Sequence, residues 1–327
     1  MNTNIKNVAD LLATPKSIVI TNHINPDGDA MGSALGLVRY LTKKGHKATV
    51  VVPNEYPKFL NWLPGNEDVI TYETQSYMAE KAFASAEVLF SLDYNAPSRA
   101  GGLQPLLIES KAKKIMIDHH REPDDFVDFM FSDTSKSSTC QMIYEWIDDL
   151  GDIDQMDSEI AQCLYTGILT DSGSFRFSST TAKTHRVVAH LLDLGVKPDE
   201  VHHKIYDTST LARYKMLGII IDTMEVFPEK GIAILRLSLE EMNRWNAQKG
   251  DTEGFVNYGL GLSGVNTAIF LKEDVDKIKM SFRSKGDIDV NTLARKHFNG
   301  GGHKNAAGGM SPLSLTETLE KVKSIVL

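Results

Sequence analysis

The chain has 327 residues, a length that predicts two domains. Of these residues 42% are hydrophobic and 24% are charged, a balance typical of a globular protein. The formal net charge of −8, without any Lys/Arg-rich tract, argues against a protein that follows a long nucleic acid and favours short anionic substrates. No apolar run approaches the ~18 residues of a membrane span, and residues 1–17 lack a signal-peptide pattern, so we expect a cytoplasmic protein without a membrane partner.

Short apolar runs alternate with helical patterns in the first half of the chain. Strands are predicted at 17–21, 48–52, 88–92 and 115–117, and helices at 29–44, 138–150, 158–169 and 181–194. Because strands separated by helices form right-handed crossovers, the pattern favours an α/β domain with a doubly wound, mainly parallel sheet.

A different pattern begins near residue 195. Residues 195–217 predict a helical connector, and beyond it strands are predicted at 222–227, 232–237, 265–271 and 277–283, with a helix at 239–246. A Gly-rich loop then leads to a last helix from Leu315. This order predicts a first domain over 1–194, the connector over 195–217 and a smaller α+β domain over 218–327, with a ligand cleft between the two domains.

The most informative motif follows the first predicted strand. Within seven residues it contains three potential metal ligands, His23, Asp27 and Asp29. Pro26 and Gly28 permit a sharp chain path between them, so these side chains can converge. In open α/β sheets, ligands bind at the carboxyl ends of the strands. The motif therefore predicts a metal site at that edge.

Further Asp and His residues follow other apolar segments. Asp93 ends the strand at 88–92, Asp118, His119 and His120 end the strand at 115–117, and Asp171 ends an apolar helix. A single Asp after a strand is commonly a turn residue. A cluster from four segments is different, because its carboxylates would repel one another unless cations neutralised them. Mixed imidazole and carboxylate ligands favour Mn²⁺, with Mg²⁺ or Co²⁺ as possible substitutes.

These motifs resemble those of the DHH phosphoesterase superfamily, and the segment 300–309 (GGGHKNAAGG) is similar to the signature of the DHH-associated C-terminal domain. The resemblance implies a DHH catalytic domain that binds two Mn²⁺ ions. His23 and Asp27 would hold one ion, and Asp29, His119 and Asp171 the other, with Asp93 bridging them. His120 would face the substrate phosphate, and Asp118 would orient a neighbouring imidazole.

The second domain is expected to bind the substrate. Backbone N–H groups of Gly301 and Gly302 can approach a phosphate closely because glycine has no Cβ atom. His303 would add a donor and Lys304 a point charge. Arg283, near the end of a predicted strand, is a candidate for bidentate phosphate binding.

Within the superfamily, the chain is most similar to the nanoRNase/pAp phosphatase group. RecJ-type exonucleases carry further domains, and family II pyrophosphatases have a different second domain. The resemblance implies hydrolysis of short oligoribonucleotides (nanoRNA), or of the 3′-phosphate of pAp, by a hydroxide bridging two metal ions. The partners would be short RNA, pAp or related small nucleotides, and the chain could form a homodimer. Alternatives are a cyclic-dinucleotide or pApA phosphodiesterase, a single-strand-specific exonuclease, and a non-catalytic, metal-dependent nucleotide sensor.

Overall fold

In the computed structural model, which describes residues 3–248 and 250–327, the chain divides into two compact units. The first unit ends at Thr208 and the second begins at Ser209, inside the segment 195–217 that the sequence analysis assigned to a connector. No helix of the described residues is long and apolar enough to cross a membrane.

The first unit is built on a six-stranded sheet in which all neighbouring strands run parallel. The strands are β1 (Ser17–Thr21), β2 (Lys47–Val52), β3 (Ile70–Thr71), β4 (Val88–Leu92), β5 (Lys113–Asp118) and β6 (Phe129–Ser132). Their order across the sheet is β3-β2-β1-β4-β5-β6, so the direction of winding reverses between β1 and β4. Ligands of such sheets bind at this reversal, outside the carboxyl ends of the strands.

Helices cover both faces of this sheet. They are α1 (Thr3–Leu11), α2 (Gly28–Lys43), α3 (Tyr72–Ser85), α4 (Gln104–Glu109), α5 (Thr139–Asp149), α6 (Ser158–Asp171), α7 (Ala182–Asp193) and α8 (Pro198–Tyr206). Ile18 and Ile20 of β1 belong to a core shared with α2, α5 and α6, whereas Val19 belongs to a second core beneath α3 and α4. The prediction of a doubly wound parallel domain is therefore confirmed.

Helices α2 and α6 approach closely because glycines face the contact between them. A Cβ atom on Gly32 would collide with the carbonyl oxygen of Cys163. One on Gly167 would collide with the side chains of Cys140 and Asp29. This packing brings the first turn of α2, which carries Asp29, against the C-terminal half of α6.

The second unit is a mixed six-stranded sheet with helices on both faces. Its strands are β7 (Glu225–Phe227), β8 (Ile232–Leu237), β9 (Thr267–Glu273), β10 (Ile278–Ser284), β11 (Gly301–His303) and β12 (Ala306–Ser311). Its helices are α9 (Leu211–Asp222), α10 (Leu239–Arg244), α11 (Val256–Leu260), α12 (Val290–Phe298) and α13 (Leu315–Val326). The order is β11-β12-β10-β9-β8-β7, with β8 and β9 parallel and the other pairs antiparallel. The predicted α+β class is confirmed.

The Gly-rich segment differs from the sequence-based prediction of a loop. It forms a hairpin in which Gly301 pairs with Gly308 and His303 pairs with Ala306. A Cβ atom on Gly302, where φ is 146°, would lie too close to the backbone of Ala306 and Ala307. The loop prediction was wrong because these glycines allow two extended backbones to approach, rather than marking a turn.

Candidate metal centre

The predicted metal ligands of the first unit lie at the ends of three neighbouring strands and at two helix ends. His23 follows β1, Asp93 follows β4 and His119 follows β5. Asp29 lies in the first turn of α2, and Asp171 is the last residue of α6. The parallel sheet and the α2–α6 packing thus bring residues from four separate segments to one edge.

Asp27 has a structural contact as well as a place in this cluster. It is the N-cap of α2, and its Oδ1 atom accepts hydrogen bonds from the backbone N–H groups of Asp29 (3.0 Å) and Ala30 (3.1 Å). Its other oxygen, Oδ2, lies 4.0 Å from Nε2 of His23. One carboxylate therefore starts the helix and also faces the cluster.

Among the groups of three side chains in the first unit that could hold a metal ion, two share no residue, and a third, Asp93–Asp118–His120, uses Asp93 again. In each group, one ligand atom from every residue lies within 4.8 Å of the others, and the first two groups are His23–Asp27–Asp93 and Asp29–His119–Asp171. Asp93 faces both groups with different oxygens. Its Oδ2 lies 3.4 Å from Nε2 of His23, and its Oδ1 lies 3.5 Å from Nε2 of His119. This is the geometry expected of a carboxylate shared between two sites.

The second group is equally compact. Nε2 of His119 lies 3.4 Å from Oδ2 of Asp171 and 3.7 Å from Oδ2 of Asp29. The side chains of Asp29 and His119 are buried, and Asp171 is more accessible. The group therefore has one ligand on its solvent side and two on its protein side.

His23 and His119 present Nε2 to the cluster, and an oxygen lies close to Nδ1 of each of the three imidazoles. Nδ1 of His23 lies 2.8 Å from the carbonyl oxygen of Ile24, and Nδ1 of His119 lies 3.3 Å from that of Lys136. Nδ1 of His120 lies 2.7 Å from Oδ1 of Asp118. Such acceptors favour the tautomer with hydrogen on Nδ1 and a lone pair on Nε2. The imidazole beside the predicted orienting residue Asp118 is thus that of His120.

Burial and mutual repulsion perturb the carboxylates. Burial, followed by the charges of Asp93 and Asp171, raises the pKa of Asp29 well above its usual value. Burial works in the same direction on Asp93, but hydrogen bonds with His119 and His23 outweigh it and hold the pKa of Asp93 well below its usual value. Burial lowers the pKa of His119, yet the contact with Asp93 and the nearby carboxylates raise this pKa well above its usual value.

The donor set fits a divalent metal ion. Buried carboxylates that repel one another need a compensating positive charge, which a bound cation would supply in addition to protonated imidazoles and the nearby Arg99. Oxygen and imidazole nitrogen donors together suit cations such as Mn²⁺, Fe²⁺ or Zn²⁺. Buried His and Asp groups of the first unit therefore form a candidate metal centre.

Helix α5 supplies contacts that the sequence did not reveal. The backbone N–H of Thr139 donates to Oδ2 of Asp29 at 2.6 Å, and that of Cys140 donates to Oδ1 at 2.9 Å. These donors are 110 and 111 residues from Asp29 in sequence. Because they are backbone groups, no residue-type signal marks them, and only the fold could show them.

Arg99 also lies near the site. The sequence did not identify it, because an arginine in the loop after Asp93 would ordinarily be solvated. Its carbonyl oxygen accepts a hydrogen bond from the N–H of Ile24 at 2.8 Å, which ties it to the loop after His23. Its side chain is half-buried and has no ion pair or hydrogen bond within residues 3–248 and 250–327. Burial is the main cause that lowers the pKa of His120, and the charge of Arg99 lowers that pKa further.

The predicted substrate-binding residues lie in the second unit, on the β11–β12 hairpin and on the neighbouring strand β10. Arg283 of β10 and His303 of β11 both pair with Ala306 of β12. Residues paired in register share one face of a sheet, so Arg283 and His303 flank the small Ala306 on the same face. Lys304 lies in the hairpin turn, where its Nζ forms an ion pair with Oδ1 of Asp287 at 2.6 Å. Its charge is therefore partly compensated.

Models of two protein families match this chain. The DHH family, N-terminal domain, matches residues 17–168, and the DHHA1 domain matches residues 230–326. Along its full length the chain is similar to the bifunctional oligoribonuclease and PAP phosphatase NrnA of Thermus thermophilus. The two are 34% identical over 98% of this chain and 92% of the relative.

Solved structures give the same result for the fold. An exopolyphosphatase-related protein from Bacteroides fragilis has a TM-score of 0.95 and 35% identity, covering 100% of this chain and 96% of that one. RecJ from Thermus thermophilus, solved in complex with Mn²⁺, has a TM-score of 0.56 at 12% identity and covers 99% of this chain and 55% of that one, so it shares the fold alone. Both domain matches and the full-length similarity to NrnA show that the chain belongs to the DHH family of phosphoesterases.

Proposed function

We propose that this phosphoesterase hydrolyses short oligoribonucleotides and removes the 3′-phosphate of pAp, with two Mn²⁺ ions as cofactors. The observation that carries the proposal is the placing of Asp93, which directs one oxygen toward His23 and the other toward His119. The name of the Thermus relative, an oligoribonuclease and PAP phosphatase, supports this substrate class.

The two groups of side chains define how the ions would be held. His23 and Asp27 would bind one ion, and Asp29, His119 and Asp171 the other, with Asp93 shared between them. When bound, such cations neutralise the charge of the phosphoryl group and make a water molecule more acidic. The mixed imidazole and carboxylate donors support manganese as the native metal.

His120 and Asp118 form the proposed catalytic pair of the protein itself. Asp118 holds Nδ1 of His120 at 2.7 Å, which fixes the ring and leaves Nε2 as the atom turned away from this contact. We assign Nε2 of His120 to a contact with the substrate phosphate, where the protonated imidazole can donate the proton needed by the leaving oxygen. Asp118 would act by orienting His120 and would not touch the substrate.

The remaining charges suit a short anionic substrate. In the first unit, Arg99 adds a positive charge that forms no ion pair with a carboxylate of the described residues. In the second unit, Arg283 and His303 share one face of the sheet. As an edge strand, β11 also leaves alternate backbone N–H groups outside the ladder, so one of the two consecutive residues Gly301 and Gly302 can offer its N–H to a ligand. We assign these residues, with Lys304, to binding the phosphates of the substrate.

Product analysis by chromatography tests the proposal. Purified protein with Mn²⁺ would be incubated with pAp, pApA, a 5′-labelled RNA trimer, the matching DNA trimer, cyclic di-AMP, pyrophosphate and polyphosphate. We expect mononucleotides from the RNA trimer and AMP from pAp. Preferred turnover of cyclic di-AMP, pyrophosphate or polyphosphate would overturn the substrate assignment. Bound Mn²⁺ without turnover of any substrate would favour the nucleotide-sensor alternative.

A further inference from the structure

The N-terminus of α5 contacts two carboxylates of the metal centre through one residue. Thr139 donates its backbone N–H to Oδ2 of Asp29 at 2.6 Å. It also donates its hydroxyl to Oδ1 of Asp93 at 3.0 Å. Thr139, Asp29 and Asp93 are all buried, with exposures of 0%, 1% and 2%. A single side chain and its own backbone therefore join carboxylates that follow β1 and β4.

The position of Thr139 is itself fixed by the helix cap. Ser138 is the N-cap of α5, and its Oγ accepts a hydrogen bond from the N–H of Gln141 at 3.0 Å. The N–H of Cys140 donates to Oδ1 of Asp29 at 2.9 Å, so Asp29 is held by two donors in succession. Because the first N–H groups of a helix have no partner inside the helix, they are available for such an acceptor.

The two contacts of Thr139 have different chemical origins and can be separated. The contact with Asp29 uses the backbone and survives any substitution except proline. The contact with Asp93 uses the hydroxyl and is lost when the side chain cannot donate. The oxygen that accepts it, Oδ1 of Asp93, also faces His119 at 3.5 Å. The hydroxyl therefore acts on the oxygen that connects Asp93 to the second group of ligands.

We propose that Thr139 is a positioning residue that fixes the separation of the Asp29 and Asp93 carboxylates, and thereby the spacing of the two cations. This inference rests on the proposed function, since it concerns the same centre. Without the hydroxyl, Asp93 keeps its contact toward His23 but loses a restraint on its orientation toward His119. The pair of ions would then be held less firmly as a pair, although each ligand residue is still present.

Three variants separate this role from a structural one. Thr139→Val has nearly the shape of threonine but lacks the hydroxyl, and Thr139→Ser keeps the hydroxyl. Thr184→Val is the matched control, because Thr184 is also a buried threonine, and its hydroxyl donates to Oε1 of Gln141 at 2.9 Å. It removes a buried hydroxyl contact to α5, and also the helix-cap contact that the N–H of Thr181 makes to the same hydroxyl at 3.1 Å, without touching a metal-ligand candidate.

Mn²⁺ titration calorimetry and electron paramagnetic resonance would be measured on the full chain, after circular dichroism has shown that each variant is folded. For Thr139→Val we expect the weaker Mn²⁺ site to lose about 10–100-fold in affinity, the range for residues that orient metal ligands. We also expect a smaller exchange-coupled Mn²⁺–Mn²⁺ signal. Thr139→Ser should restore both properties, and Thr184→Val should change neither.

The inference would be overturned if Thr139→Val had the same Mn²⁺ affinity and the same Mn²⁺–Mn²⁺ coupling as the wild type. An equal loss in Thr184→Val would also overturn it, because such a loss would show that any buried hydroxyl near α5 has this effect. Turnover of pAp and the RNA trimer is recorded separately. If the wild-type protein binds two Mn²⁺ ions but hydrolyses neither substrate, the proposed function fails while the positioning role of Thr139 is still decided by the titration.

Discussion

Asp93 adopts a left-handed backbone conformation directly after β4, with φ at 63°. For a residue with a side chain this conformation costs on the order of 1 kcal/mol, and it persists only where the surroundings determine it. Here the N–H of Asp93 donates to the carbonyl oxygen of Ile117 at 3.2 Å, and its carboxylate contacts His23, His119 and Thr139. The turn thus aims the carboxylate between the two groups of ligands.

Arg99 carries a prediction at the same scale. Arg99→Gln should lower kcat/KM for pAp about 10–100-fold, because a hydrogen bond to a charged group contributes about 1.5–3 kcal/mol. Mn²⁺ affinity should stay the same or rise, since a positive charge near His23 and His120 is removed. Steady-state kinetics and metal titration measure both. Arg186→Gln, at an exposed arginine of α7, is the control. An unchanged kcat/KM would exclude a phosphate contact for Arg99.

The site could be predicted from sequence where its residues form local motifs. His23, Asp27 and Asp29 lie within seven residues, and His119 and His120 are adjacent, so the sequence alone shows that these potential metal ligands are grouped. The supporting contacts could not be predicted in this way. The donors on α5 reach Asp29 only through the packing of α2, α5 and α6. Because they are backbone N–H groups, which nearly every residue has, no residue type marks them in the sequence.

At the scale of elements, the segment before α5 and helix α7 are joined to α5 through Glu145. Nζ of Lys136 lies 2.6 Å and Nζ of Lys183 lies 2.7 Å from Oε2 of Glu145. Nε2 of Gln141 donates to Oε1 at 2.8 Å. Because the carbonyl oxygen of Lys136 contacts Nδ1 of His119, this network also supports the orientation of a metal-ligand candidate.

Glu145→Gln should therefore destabilise the protein in a pH-dependent way. Burial would raise the pKa of Glu145, but hydrogen bonds with Lys136, Lys183 and Gln141 outweigh it and lower this pKa below 4.5. A carboxyl group with a depressed pKa stabilises the fold above its unfolded-state pKa and loses that effect as pH falls through the folded-state value. We expect a loss of about 1–3 kcal/mol in the free energy of unfolding at pH 7.

Urea unfolding at several pH values measures this difference. The gap between wild type and Glu145→Gln should be constant near neutral pH and should close as the solution becomes more acidic than pH 4.5. Glu80→Gln, at an exposed glutamate of α3, should show no comparable gap. A gap that persists unchanged into acid would mean that packing of the side chain, and not its charge, stabilises this network.

The strands that were predicted with their observed bounds are β1, β4 and β8. They form continuous apolar runs because both faces of each sheet are covered, and such runs end clearly in sequence. The helical connector predicted over 195–217 is not one continuous helix. It is divided into α8 and α9, since the side chain of Thr210 accepts from the N–H of Arg213 and starts a new helix.

Helix α12 shows a signal that the sequence analysis did not use. Val290, Ala294 and Phe298 recur at the spacing of one helix face and are buried. Asp289 caps the helix through the N–H of Thr292, and Asn299 ends it in a left-handed conformation with φ at 47°. The helix was not predicted because the Gly-rich segment that follows it indicated a loop, although a cap and an apolar face were both present.

At the scale of the whole molecule, all predicted metal ligands belong to the first unit, whereas the candidate substrate contacts other than Arg99 and His120 belong to the second. His23, Asp93 and the other members of the two metal groups lie before Thr208, whereas Arg283 and His303 lie after Ser209. This distribution suggests that metal binding and substrate binding can be changed separately. Each can then be measured with one variant in each unit.

Asp93→Ala should lose the shared carboxylate, bind Mn²⁺ much more weakly and show no measurable turnover, with a far-ultraviolet spectrum like that of the wild type. His303→Ala should instead raise KM for pAp about tenfold, the value of one good hydrogen bond of ~1.4 kcal/mol, while Mn²⁺ affinity changes less. His297→Ala, at a half-buried histidine of α12 in the same unit, is the control for loss of an imidazole. If His303→Ala weakened Mn²⁺ binding and left KM unchanged, the assignment of substrate binding to the second unit would be wrong. Near-normal turnover in Asp93→Ala would contradict the shared-carboxylate centre itself, because no other carboxylate directs one oxygen toward His23 and the other toward His119 within residues 3–248 and 250–327.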